Sequence, residues 1–255
     1  MILVSTGDAL AVPLALFAVV IIFGGITGGH FNPAVTLGVY IHEGKWKQNA
    51  AYAVLIMTAQ LVGALLGMSF AAFTLGYKNT DGEFTVSPQR VPILAPTDPS
   101  GENDYDMASD HDGFSEDWQT LLTQVTCTFI FVAVILMIKG QGTAPSRDGA
   151  LQALTVALTL GGLIQVANHH AATFNPAVST ALTLFQNMVL ENEGGYLTHY
   201  FYAYAFGPMI GAMLAGFFSR FHNSLHQEEK REELHTNQDE EGHSLLRYSE
   251  AQGVE

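Results

Sequence analysis

Long apolar stretches, with no regular polar face, run through most of the chain. A bilayer core about 30 Å thick needs roughly 20 mainly apolar residues for each spanning helix, and five stretches meet that need. They are Ala9–Thr27, Ala50–Leu75, Leu121–Ile138, Ala150–Ala167 and Leu197–Phe218. All contain closely spaced small residues, which let helix backbones approach one another in lipid. The pattern predicts an all-α membrane protein with five spanning helices.

Two further apolar runs, Ala34–Ile41 and Ala177–Leu184, are too short to cross a bilayer. They have the length to enter halfway and stop, as two re-entrant half-helices. Irregular backbone at that depth must be buried in protein or line a watery cavity. Short interrupted segments at matching places in two halves favour an inverted repeat with a site near the membrane midplane.

The charged residues are few and unevenly distributed. They make up 13% of the chain, whereas a soluble domain carries about 25%. Ten of the 24 acidic residues lie in 78–117 and nine in 228–255. We therefore expect a transmembrane domain over 1–219, which includes an acidic extramembrane loop at 77–117, and an acidic, disordered cytoplasmic tail over 220–255. The net charge of −14 argues against a nucleic-acid partner.

Basic residues in the short loops predict the orientation. Lys45, Lys47, Lys139, Arg147 and Arg220 lie on one side of the predicted spans. By the positive-inside rule this side is cytoplasmic, so the acidic loop is outside and the tail inside. The chain is predicted to be an integral, multi-pass protein of the plasma membrane or of an organelle.

One pentapeptide, Phe-Asn-Pro-Ala-Val, occurs at 31–35 and again at 174–178. Asn is a favoured N-cap and Pro a favoured first helical residue, so each motif should begin a half-helix. Two positive helix ends meeting near the midplane would repel cations, while the Asn amides offer N–H groups to a passing oxygen. This predicts a passive pore for neutral solutes. The predicted pore residues are Asn32, Pro33, Ala34, Asn175, Pro176 and Ala177.

From about Ala9 to Phe218 the chain resembles the aquaporins, the major intrinsic proteins. The resemblance rests on residues 28–38, on 59–64 and on Gly207-Pro208. It implies six tilted helices with two half-helices, one pore per subunit and a homotetramer in the lipid bilayer. It also implies a channel for water or small uncharged solutes such as glycerol, urea, ammonia or peroxide. No catalytic or cofactor-binding motif is present, so we expect no enzymatic activity and no cofactor.

The chain departs from the family pattern in two places that bear on the pore. Only eight residues precede Ala9, where the family has a complete helix, so the chain is shortened, has lost that helix, or receives it from another chain. The family usually has Arg directly after the second Asn-Pro-Ala motif. By family spacing, the filter positions here are Val12, Leu163, Ala172 and Val178. An all-apolar filter predicts a wider and less selective pore, or one that closes by dewetting.

Other residues are predicted to support the pore loops. Gln124 replaces a buried Glu that, in the family, accepts backbone N–H groups of the second loop; a simple helix-packing role is the alternative. His30 is expected to support the first loop. His169 and His170 have no third ligand at a recognisable spacing, so we expect loop packing or lining of the pore mouth, and no metal site.

A second function remains open from the sequence alone. The missing helix, the apolar filter and the acidic segments would also suit a non-conducting, aquaporin-like structural subunit that associates with other membrane subunits. Two intact Asn-Pro-Ala motifs favour the channel.

Overall fold

A computed structural model of the chain describes residues 10–252 except 79, 81, 83, 87–93, 97–112, 141–142, 172 and 190–197. Within these described residues the structure has seven α-helices and one β-hairpin. The helices are α1 Ala11–Thr27, α2 Pro33–Glu43, α3 Trp46–Leu75, α4 Gly113–Lys139, α5 Gly149–Val166, α6 Pro176–Val189 and α7 Phe201–Gln252. The antiparallel strands β1 (Gly76–Lys78) and β2 (Phe84–Val86) pair with Tyr77 opposite Thr85. A short 3-10 turn, Asn168–His170, follows α5.

Four of the described helices are long and apolar enough to cross a membrane. These segments are Trp46–Leu75, Asp117–Lys139, Gly149–Val166 and Phe201–Lys230. The remaining predicted span, Ala9–Thr27, corresponds to α1. This apolar helix has 17 residues and is slightly shorter than the other four. The structure therefore agrees with a helical membrane protein, and the count of five spans remains a prediction.

The most extensive helix pair is α4 against α7. Glycines allow this close approach, since a Cβ at Gly211 would collide with the backbone of Val125 and lie 2.9 Å from the Phe129 nitrogen. A Cβ at Gly207 would lie 2.8 Å from that of Gln124. The small residues predicted to permit tight packing do so at this interface.

The two short helices are packed in a reciprocal way that reflects the sequence repeat. Helix α2 contacts α7 and α3, while α6 contacts α3 and α7. Each half of the chain therefore provides a long helix that supports the short helix of the other half. This arrangement places the two Asn-Pro-Ala motifs near each other.

The long helices α3 and α7 hold equivalent places in the repeat, but within the described residues their glycine-bearing faces differ in how well they are covered. Gly63 and Gly67 of α3 are four residues apart, as are Gly207 and Gly211 of α7, and the two pairs lie at distances from the preceding motif that differ by one residue. A Cβ at either α3 glycine would meet nothing within 4 Å. In the most apolar stretch of α3 only 11% of the residues are buried, whereas in that of α7 the buried share is 44%. The repeat thus leaves on α3 an open face, whose counterpart on α7 is covered by α4.

The region after 220 differs from the sequence prediction. We expected a disordered tail, whereas α7 continues as a helix to Gln252. Residues 220–252 contain no proline and a single glycine, Gly242, and are rich in Glu, with Leu, Gln and Arg also repeated, all good helix formers. The hairpin was also not expected, and most of the predicted acidic loop lies outside the described residues.

Candidate functional site: the junction of the two Asn-Pro-Ala motifs

The first motif begins α2 through a complete N-cap. Asn32 is extended (φ −157°, ψ 121°), its Oδ1 accepts the Ala34 N–H at 2.8 Å, and Pro33 occupies the first helical position. Asn32 is only 5% exposed. The cap satisfies a backbone donor that would otherwise be unpaired at the helix start.

The second motif repeats this geometry at the start of α6. Asn175 Oδ1 accepts the N–H groups of Ala177 at 3.1 Å and Val178 at 3.4 Å, with Pro176 as the first helical residue. Both helices therefore begin where the asparagines predict. Asn175 is half-buried.

The two caps are cross-linked to each other's loops. Asn32 Nδ2 donates to the Phe174 carbonyl at 2.8 Å, and Asn175 Nδ2 donates to the Phe31 carbonyl at 3.0 Å. Phe31 and Phe174 both have left-handed backbone, with φ of 47° and 48°. Such a conformation costs a bulky residue about 1–3 kcal/mol and is maintained only by its surroundings. At each phenylalanine with this backbone conformation, the carbonyl accepts the hydrogen bond from the asparagine of the other motif. These bonds bring the N-termini of α2 and α6 together.

Gln124 on α4 bonds the loop that precedes the second motif. Its fully buried amide donates to the carbonyls of His170 (3.3 Å) and Ala171 (3.0 Å), while its Oε1 accepts the Phe174 N–H at 3.3 Å. Tyr204 on α7 also donates to the His170 carbonyl at 3.1 Å. The structure thus places Gln124 on the loop, in contacts that use both halves of the amide; a carboxylate could make only the accepting one.

Two hydroxyl residues, which the sequence analysis did not select, tie each motif to its surroundings. Thr36 donates to the Asn32 carbonyl at 3.1 Å and accepts from Gln60 Nε2 at 3.0 Å. Ser179 bonds the Asn175 carbonyl and, on α7, the Tyr204 carbonyl, each at 2.9 Å. Each lies four residues after the asparagine of its motif. Aligning the two copies of the repeat would therefore have identified both hydroxyl residues from the sequence.

The histidines near the motifs serve the loops. His30 Nδ1 lies 3.2 Å from the hydroxyl of Thr36 in α2. A supporting role for His30 in the first loop stays a prediction. His170 Nδ1 lies 3.3 Å from Thr120 Oγ1. Over the part of the chain that the structure describes, no three His, Cys, Asp or Glu side chains gather in a way that could hold a metal.

Two of the cavities in the described structure lie beside the motifs. One, of about 440 Å³, lies against α3 and is lined by Phe31, Ala177 and Val178. The other, of about 430 Å³, lies among α1, α4 and α5 and is lined by Gly29 and Val35. Open space thus adjoins both motifs.

The four predicted filter residues do not all meet at one described cavity. Val178 lines the cavity against α3. Val12 and Leu163 instead belong to one apolar cluster, in which Leu163 is 8% exposed and Val12 is partly buried. Ala172 lies outside the described residues. A filter built from these four residues stays a prediction.

Comparison with known proteins identifies the family of this chain. Residues 3–219 match the family model described as "Major intrinsic protein". The chain is 28% identical to the "Glycerol uptake facilitator protein-like 6" of Lactiplantibacillus plantarum over 86% of this chain and 88% of that protein. It is 28% identical to the "Probable aquaporin AqpM" of Archaeoglobus fulgidus, over 82% and 72%. It is 30% identical to "Aquaporin Z" of Photorhabdus laumondii, over 71% and 70%.

The matched family consists of membrane channels, and the apolar helices α3, α4, α5 and α7 agree with a membrane location. The comparisons lend no support to the structural-subunit alternative. The chain belongs to the major intrinsic protein family and is an integral membrane protein of the channel class.

Proposed function

We propose that this protein is a passive channel for water and small uncharged solutes, which pass the junction of the two Asn-Pro-Ala motifs. The observation that carries the proposal is the reciprocal bonding of Asn32 to the Phe174 carbonyl and of Asn175 to the Phe31 carbonyl. This exchange fixes both asparagines and brings together two helix N-termini from the two halves of the chain.

The junction favours neutral solutes for an electrostatic reason. Each helix N-terminus carries roughly half a positive charge, so two adjacent ends oppose the entry of a cation. A side-chain amide has two N–H donors, and the cross-loop bond of each asparagine uses one. The second donor is available to a solute oxygen at the same place. In this proposal α2 and α6 are re-entrant half-helices that meet near the membrane midplane.

The proposed permeants include glycerol and urea as well as water, with ammonia and peroxide as smaller candidates. Val178 follows the second motif and lines the cavity against α3, where its isopropyl group offers no hydrogen-bond donor. A valine leaves more width than an arginine and discriminates less by hydrogen bonding. Two of the similar proteins are named glycerol uptake facilitators, which supports a pore of this width.

The remaining predicted residues take supporting roles. Val12, Leu163 and Ala172 complete the apolar filter in this proposal. Gln124 and His30 hold the second and first loops, in line with their bonds to the loop carbonyls and to Thr36. The assembly is proposed to be a homotetramer, which sizing of the purified protein in detergent tests.

Stopped-flow light scattering on proteoliposomes tests the function. Vesicles containing the wild-type chain should equilibrate water, glycerol and urea faster than protein-free vesicles of the same lipid. The matched control is a double variant, Asn32→Leu with Asn175→Leu, which removes the amides and is checked for folding by its sizing profile. Folded wild-type protein that gives no permeability above lipid for any of the three would contradict the proposal.

A further inference from the structure

The last residue of α4, Lys139, reaches the first pore loop. Its Nζ donates to the Gly28 carbonyl at 2.8 Å, across 111 positions of sequence. Gly28 and Gly29 both have positive φ (78° and 65°), so this short backbone segment turns sharply before the first motif. Lys139 is itself exposed at this end of the helix bundle. An ammonium group is therefore fixed beside the entrance to the loop.

Lys139 also lines the cavity of about 430 Å³ that adjoins the first motif. The cavity extends from Lys139 to Gly29 and Val35, among α1, α4 and α5. Lys139 is the only charged side chain among its lining residues. Gln152 also lines it, but its amide nitrogen already donates to the carbonyls of Ile138 and Ser146, each at 2.9 Å.

No described carboxylate neutralises this charge within ion-pair distance. The side-chain ion pairs of the described residues join His199 to Asp117 and His226 to Glu229, both away from this cavity. An ammonium has three donors, and the Gly28 carbonyl occupies one. The remaining donors can meet a solute oxygen, while a charge between low-dielectric walls acts strongly on any ion that enters.

We propose that Lys139 is a charge-selectivity residue of this pore. Its fixed positive charge excludes cations at the end of the pore formed by α4, α5 and the first loop, while neutral solutes pass. The inference rests on the proposed channel function. Val178, which lines the other cavity, carries no charge.

The test separates the charge of Lys139 from its hydrogen bond. Lys139→Gln keeps an N–H donor for the Gly28 carbonyl but removes the charge, and Lys139→Arg keeps both. Lys47→Gln, at an exposed lysine of α3, is the matched control for loss of one charge. Each protein is placed in vesicles, and two quantities are measured: glycerol flux by light scattering, and proton and K⁺ leak under a clamped membrane potential.

We expect Lys139→Gln to raise the cation leak about tenfold, the lower end of the range for focused charge effects, with glycerol flux retained. Lys139→Arg and Lys47→Gln should leak like the wild type. As a second route, Lys139→Cys can be modified after folding, since the native Cys127 is buried. An aminoethyl thiol reagent, which restores the amine, should return the leak to the wild-type level, and a neutral reagent of similar size should not.

The outcomes distinguish this inference from the function on which it rests. Wild-type vesicles with no solute flux would overturn both. A conducting wild type with an unchanged leak in Lys139→Gln and in unmodified Lys139→Cys would overturn the role of Lys139 alone. A loss of glycerol flux in Lys139→Gln without any leak would show a tether of the loop and would likewise overturn the charge-selectivity role.

Discussion

Replacing Asn32 by Asp tests the cross-linked motif junction. The carboxylate has the shape of the amide, and Asp is as good an N-cap as Asn, so the bond from Ala34 N–H is kept. The bond to the Phe174 carbonyl at 2.8 Å is lost, because a carboxylate has no donor. A carboxylate oxygen of residue 32 then faces the Phe174 carbonyl oxygen, and the two repel each other. Little water can reach them, because Asn32 is only 5% exposed.

The size of the effect follows from these terms. A lost hydrogen bond costs about 0.5–1.5 kcal/mol, and a buried carbonyl left without its donor costs about 1–3 kcal/mol in desolvation. We expect Asn32→Asp to lower the free energy of unfolding by about 2–4 kcal/mol. For a chain of this size that corresponds to a loss of roughly 4–16 °C in the melting temperature.

Asn175→Asp is the matched comparison within the same chain. Asn175 makes the equivalent bond to the Phe31 carbonyl at 3.0 Å but is only half-buried, so water compensates part of the loss. We expect a cost about half as large. Thermal unfolding of both variants in detergent, followed by the fluorescence of Trp46 and Trp118, measures the difference. Equal melting temperatures for wild type and Asn32→Asp would refute the proposed bonding at the junction.

Three further changes give distinct expectations. Gln124→Glu removes both bonds that its amide donates to the second loop, so the melting temperature should fall by an amount corresponding to about 1–3 kcal/mol; an unchanged value would contradict the amide's donor role. Gly211→Ala should destabilise the chain by about 1–3 kcal/mol, because the added methyl group overpacks against α4. Gly63→Ala should cost little, since open space surrounds Gly63. Equal losses of stability in the two variants would show that α3 is covered in the membrane. Val178→Arg places a long cation in the cavity against α3, so glycerol flux should fall more than water flux; parallel losses in stopped-flow traces would argue against a filter at this position.

The local features of the junction could be predicted because short-range rules determine them. Asn32 and Asn175 cap helices as their identity and the following proline indicate. The apolar stretches locate α1, α3 and α5 to within four residues at each end, because hydropathy and length decide which segments can span a bilayer. They miss the polar extensions of α4 at its start and of α7 at its end. The acceptors of the asparagine amides could not be predicted, since Phe174 and Phe31 lie more than 140 residues away in sequence.

Other features escaped the sequence for similar physical reasons. The bond from Lys139 to the Gly28 carbonyl depends on how α4 packs beside the first loop, and no local pattern records that packing. The acidic composition favours a disordered tail, but Glu and Leu, which recur in this segment, are also good helix formers, and α7 continues to Gln252. The apolar filter was inferred by spacing, and Leu163 packs in a core cluster, so spacing did not settle which side chains face open space.

The most direct test of the account uses a single engineered thiol at the junction. Val178→Cys introduces a reactive group into the cavity against α3, while the native Cys127 is buried. The measurement is glycerol flux into proteoliposomes before and after a bulky thiol reagent, with the wild type treated in parallel. We predict flux well above lipid before treatment, its loss afterwards, and no effect of the reagent on the wild type. Flux at the lipid level from the outset would contradict the channel, and flux that survives complete labelling would contradict a path through the motif junction.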